Sequence, residues 1–178
     1  MRNTEKQKKI SIGVEDFKEI IDKDGYFVDK TLMIQELLES NAKVILFTRP
    51  RRFGKTLNQF MIRRFFEDEI TEKGEKVDNG YLFDGLAITH CGEEIMQHQQ
   101  RYPVIFMSLK SAKQDSYDMA YASLIDEISK EFKRHAYLLQ GESLSPKEKQ
   151  EFQLVMDKEA QPIAYAKALG FLSECLTK

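Results

Sequence analysis

The sequence predicts an α/β fold in one domain, a sheet packed between helices, on three observations. Two continuous apolar runs, "KVILFT" (Lys43–Thr48) and "YPVIFMSLK" (Tyr102–Lys110), have the composition of strands buried on both faces. The segments around them repeat apolar residues at helical spacing. The resulting order, strand–loop–helix–strand–helices, is that of a sheet built with crossover helices.

Length and composition bound this reading. At 178 residues one domain is expected, and 42% hydrophobic with 31% charged residues is a globular balance. A net charge of −2 means that any polyanion must be met by a local patch, not by the whole chain. Cys91 and Cys175 stand in no metal-binding or redox spacing, so reduced thiols and a cytoplasmic setting are expected. No stretch approaches the roughly 18 apolar residues of a membrane span, so no membrane partner is expected. The basic start, "MRNTEKQKKI", has no apolar core behind it and does not read as a signal peptide.

In chain order, Val14–Asp22 places Val14, Phe17, Ile20 and Ile21 on one helical face. A turn at Asp24–Gly25 and a short extended piece, Tyr26–Val28, follow. Lys30–Ser40 is helical through Leu32, Met33, Ile34, Leu37 and Leu38, and these upstream elements fill residues 1–42. Residues 43–67 hold the first strand, a basic loop and a helix of about three turns marked by Leu57, Phe60, Met61 and Phe65. A loop-rich connection covers 68–101, and the second strand, opened by Pro103, covers 102–110. The remainder, 111–178, is helical: Met119–Leu139 carries Leu124, Ile125, Ile128 and Phe132 on one stripe. Ser145–Glu148 reads as a capping box with Pro146 at the first helical position, and Pro162 starts a last helix.

The basic loop carries the chemistry. A phosphate-binding loop reads GxxxxGK[ST] between a strand and a helix, and "FGKT" (Phe53–Thr56) supplies its second half. Amides from about Phe53 to Thr56 cradle an anion at the helix start, and Gly54 brings the backbone close without a Cβ. Lys55 is placed to reach the β- and γ-phosphates of a nucleotide, and Thr56 to offer its hydroxyl to Mg²⁺. Arg49 stands where the pattern has Gly. Pro50 pushes Arg49 into the extended region, so the chain leaves the strand without a positive φ, and Arg51 and Arg52 add fixed charge and bidentate donors. The candidate site is therefore Pro50, Arg51, Arg52, Phe53, Gly54, Lys55, Thr56 and Leu57, with Thr56 as the metal-facing residue and no catalytic residue assigned.

Four collinear strings, "YFVDKT" (Tyr26–Thr31), "TRPRRFGKTL" (Thr48–Leu57), "LFDGLAI" (Leu82–Ile88) and "YPVIFMSLK" (Tyr102–Lys110), resemble the predicted AAA-ATPase-like family. The family's loop reads RPRRFGK[ST], so Arg49 matches its norm. The resemblance spans Ile10 to the C-terminus. It implies a P-loop NTPase-like three-layer sandwich of the additional-strand class, with ATP and Mg²⁺ as ligands. It also implies a link to nucleic acid through the PD-(D/E)XK nuclease-like domain that follows in family members.

Hydrolysis needs an acidic strand that helps hold Mg²⁺ and positions the attacking water. "LIDE" (Leu124–Glu127) is the one similar string, but its neighbours follow helical spacing, which turns Asp126 and Glu127 toward solvent. Family members carry a "LIDEYD"-like strand after the helix matching "ALGFLSECLTK", so the sandwich is expected to be incomplete at its C-terminus and ATP turnover by this chain poor. Two other readings stand beside ATP binding. Six cations between Arg49 and Arg64, with no acidic residue among them, could serve a nucleic acid or another polyanion. A degenerate, non-enzymatic interaction module is the third. Asp29 and Lys30 read equally as nucleotide contacts and as caps of the following helix, and His90, Cys91 and His98 as a polar loop rather than a metal site.

Overall fold

The computed structural model describes residues 8–50 and 52–178; the start of the chain and Arg51 lie outside them. Among the described residues the regular structure is helical: α1 (Phe17–Asp22), α2 (Leu32–Glu39), α3 (Lys55–Phe66), α4 (Glu93–Met96), α5 (Tyr117–Arg134), α6 (Pro146–Met156) and α7 (Pro162–Leu176). Short 3₁₀ turns at Gly80–Phe83 and Ala87–His90, with the single-turn α4, lie in the loop-rich connection.

The α/β three-layer sandwich expected from the sequence is overturned. Strand-type pairing among the described residues amounts to three single-residue bridges, Lys9–Gly25, Glu67–Tyr102 and Ile70–Lys76, and no sheet forms. A continuous apolar run is only half of a strand. The other half is a neighbour that takes up its N–H and C=O groups, and Val44–Phe47 has none among the described residues. That segment is open to solvent instead, with Val44 at 87% and Leu46 at 82% exposure. The second run is half-buried without a ladder: the Phe106 N–H donates to Glu131 Oε1 at 2.7 Å, and Ile105 and Met107 pack on an apolar core. Side chains of α5 do there what a neighbouring strand does in a sheet.

The chain folds as two compact units. One holds residues up to Asp68 together with Asp78–Tyr102; the other holds Glu69–Val77 and Pro103–Lys178. In the first, Asp16 accepts from the Lys18 N–H at 2.9 Å and starts α1, whose Phe17 and Ile20 are buried. Phe17 and Phe65 both meet Phe83, with ring centroids 5.2 and 5.3 Å apart. Ile34, Met61, Leu82 and Ile88 complete this core. Each such side chain contributes roughly 1.5–3 kcal/mol on burial, so α3 is anchored by its inner face while its first turn stays free for chemistry.

In the second unit, α5, α6 and α7 close around Phe132, Phe152, Tyr165 and Leu172. Ser145 and Glu148 make both hydrogen bonds of the capping box at the start of α6. The excursion Glu69–Val77 folds on itself through Val77 N to Glu69 O and Thr71 N to Glu75 O, each 2.8 Å, and Gln140 Nε2 donates to Glu72 O at 2.6 Å. Leu124–Glu127 lies inside α5, where Asp126 pairs with Lys158 at 2.5 Å.

Candidate functional site

The basic loop ends in a pair of left-handed residues, Arg52 at φ 68° and Gly54 at φ 71°. Gly54 adopts that conformation without a Cβ penalty. Arg52 does so at a cost on the order of 1–2 kcal/mol. Backbone of this kind turns successive N–H groups toward one point, the geometry of an anion nest.

Helix α3 springs directly from Gly54. The first helical bond is Asn58 N to Gly54 O at 2.9 Å, and Gly54 has no side chain to cap the turn. The amides of Lys55, Thr56 and Leu57 therefore find no acceptor among the described residues, and they sit at the positive end of a helix dipole. Lys55 folds back over the loop: its Nζ donates to Arg49 O at 2.6 Å and to Pro50 O at 2.9 Å. The Thr56 hydroxyl is half-buried and has no hydrogen-bond partner among the described residues. Uncapped amides, an ammonium held only by two loop carbonyls among the described residues, and an unengaged hydroxyl are a set of groups that fits a nucleotide's phosphates with Mg²⁺.

A cavity of about 450 Å³ opens beside the loop. Arg49, Phe53 and Lys55 line it from the loop, Asn58, Gln59 and Ile62 from α3, and Lys30, Leu32, Met33 and Glu36 from the start of α2. Three cations and one carboxylate thus face one space that also has apolar walls, an arrangement suited to an anion carrying a flat apolar group.

The α2 side of the cavity was not assigned from the sequence, apart from the alternative readings of Asp29 and Lys30. Asp29 is engaged within the chain itself. Its Oδ1 accepts from the Thr31 N–H at 2.8 Å and the Thr31 hydroxyl at 2.7 Å, while Oδ2 accepts from the Ala87 N–H at 2.7 Å. Thr31, fully buried, accepts from the Ile88 N–H at 3.1 Å. Burial pushes the Asp29 pKa up, but the hydrogen bonds from Ala87 and Thr31 outweigh it and leave it lowered. "YFVDKT" and "LFDGLAI" are therefore two halves of one clamp. The signal was there in their shared order with the loop, but not the contact.

Of the expected site residues, Pro50, Arg52, Phe53, Gly54, Lys55, Thr56 and Leu57 form this turn and helix start, and Arg51 lies outside the described residues. The six-cation patch is not one surface. Arg63 pairs with buried Glu67 at 2.7 Å, and Arg64, 9% exposed, reaches Asp16 at 3.4 Å. His98 stacks on Tyr102 and Cys91 Sγ meets Gln35 Oε1, and no metal-holding group of His, Cys, Asp or Glu occurs among the described residues. No helix among them is long and apolar enough to cross a membrane.

A family model described as "Predicted AAA-ATPase" matches residues 11–164. A curated protein of Azotobacter chroococcum mcd 1, described as an uncharacterized protein in the vnfD 5' region, is 34% identical over 103 residues. That stretch is 57% of this chain and 17% of the relative, so the chain spans a small part of the protein it matches. No solved structure matches the chain.

Proposed function

Because the chain belongs to the predicted AAA-ATPase family, we propose that the turn from Pro50 to Leu57 binds the phosphates of ATP, and that Thr56 is the residue whose hydroxyl would help hold Mg²⁺. One observation carries this reading: among the described residues, α3 starts at a left-handed Gly54 with uncapped amides, under a lysine tethered only to loop carbonyls. The Lys55 ammonium exchanges those two carbonyls for phosphate oxygens, a stronger charge-assisted contact. Arg49 and Arg52 add positive potential, and Mg²⁺ supplies further neutralisation of the phosphate charge.

The proposal is binding, and hydrolysis is assigned to no residue here. Asp126 and Glu127, the one string resembling an acidic strand, sit in the middle of a helix. The polyanion reading is weakened by the engagement of Arg63 and Arg64 within the first unit. A cytoplasmic setting suits both the ligand and the two free thiols, Cys91 and Cys175.

Calorimetry of Mg-ATP with the 178-residue chain tests the reading. Lys55→Ala is expected to weaken binding by roughly 1.5–3 kcal/mol, the worth of a hydrogen bond to a charged group. An affinity unchanged by that substitution overturns the role of the loop. Millimolar Mg-ATP is also expected to displace any bound oligonucleotide; persistence of the oligonucleotide, with no saturable ATP binding, favours the polyanion reading.

A further inference from the structure

We propose that Lys30 is a second ligand-binding cation of this cavity, taking the anionic part of the nucleotide together with Lys55. The inference rests on the nucleotide reading and adds a residue from the opposite wall, outside the loop motif.

Its first support is position. Lys30 shares the cavity of about 450 Å³ with Arg49 and Lys55, and Glu36 is the one carboxylate lining it. Three like charges facing one space repel each other, and an anion placed among them removes that cost. The apolar lining from Leu32, Met33, Phe47, Phe53 and Ile62 fits a ligand with a flat apolar part as well as a charged one.

The second support is rigidity. Asp29 and Thr31, the two neighbours of Lys30, are pinned to the Ala87–Ile88 turn by hydrogen bonds of 2.7 and 3.1 Å. The Lys30 carbonyl accepts from the Met33 N–H at 3.0 Å and joins the first turn of α2. This fixes where the Lys30 backbone stands beside the cavity, and the exposed side chain supplies the reach.

The third support is the state of the ammonium group. Lys30 is exposed; some lysines here are engaged, such as Lys18 with Asn79 and Lys158 with Asp126, while others, such as Lys43 and Lys113, show no side-chain partner among the described residues. The Lys30 ammonium makes no hydrogen bond or ion pair among the described residues, although Glu36 lines the same cavity. Four hydrogen bonds thus fix the backbone beside a cation that shares the cavity with two others, a placement an anionic ligand would use.

The experiment titrates the full chain with Mg-ATP by calorimetry at low and moderate salt, in wild type, Lys30→Met, Lys30→Arg and Lys55→Ala, with thermal melts as the control for folding. Lys30→Met is expected to weaken binding roughly tenfold, to flatten its salt dependence and to leave the melt unchanged, with Lys30→Arg within about threefold of wild type. If Lys30→Met binds like wild type while Lys55→Ala does not, the role of Lys30 is overturned and the loop reading stands. Weakening by Lys30→Met with an unchanged salt slope also overturns it, since a contact to charge must register there. If both variants bind like wild type, or wild type fails to bind millimolar Mg-ATP, both readings fall.

Discussion

At Glu131, burial and hydrogen bonding pull one carboxyl in opposite directions. Burial pushes its pKa up, but hydrogen bonds from His135 and Arg134, the Arg134 charge and the Phe106 N–H outweigh it and hold it at about 2, below the usual 4.5. A carboxylate depressed on folding stabilises the folded chain fully above its unfolded pKa and loses that contribution as pH falls through the folded value. The window is therefore about pH 4.5 down to 2, and the contribution is roughly 3 kcal/mol at neutral pH. Urea denaturation across this range is expected to show the loss, and Glu131→Gln to be destabilised at pH 7 with a flatter profile; parallel profiles would contradict the cluster's role. At this scale the loop was legible in the sequence and the clamp was not. Gly54 and Lys55 announce themselves because a left-handed turn and a helix start are local demands. Asp29 and Lys30 read equally as nucleotide contacts and as caps, and the hydrogen bond from Ala87 to Asp29 that fixes the backbone beside Lys30 is one no spacing rule reveals.

The helices were legible because their signals lie within a few residues of each other. The stripe Leu124, Ile125, Ile128 and Phe132 falls in α5, and Pro162 opens α7. The capping box is the sharpest case, with the Ser145 N–H donating to Glu148 Oε2 at 2.9 Å and the Glu148 N–H to Ser145 Oγ at 3.4 Å. Ser145→Ala is expected to cost about 1 kcal/mol, read as a shift in the denaturation midpoint at constant slope; an unshifted midpoint would assign the start of α6 to Pro146 alone. The strands failed for the complementary reason. Val44–Phe47 has the right residue types, but ladder partners are supplied from elsewhere in the chain, and composition is silent about them.

At the scale of the molecule, the exposed run from Val44 to Phe47 is a surface prone to association. It combines β-branched and aromatic residues, open backbone groups and no charge, the pattern of an unprotected edge. Val44→Glu with Leu46→Lys is expected to lower self-association at micromolar concentration, seen as reduced light scattering and dye binding, with melts unchanged. Equal scattering from the double variant would place the sticky surface elsewhere. The excursion Glu69–Val77 carries a further consequence. It leaves a ribosome before the first unit is complete, yet the side chain that grips it, Gln140, is translated some sixty-eight positions after Glu72. A growing chain must hold this hairpin in waiting while Asp78–Tyr102 returns to finish the unit already begun. Synthesis therefore cannot release one finished half before starting the next, and a cut at any single peptide bond leaves at least one half lacking a piece.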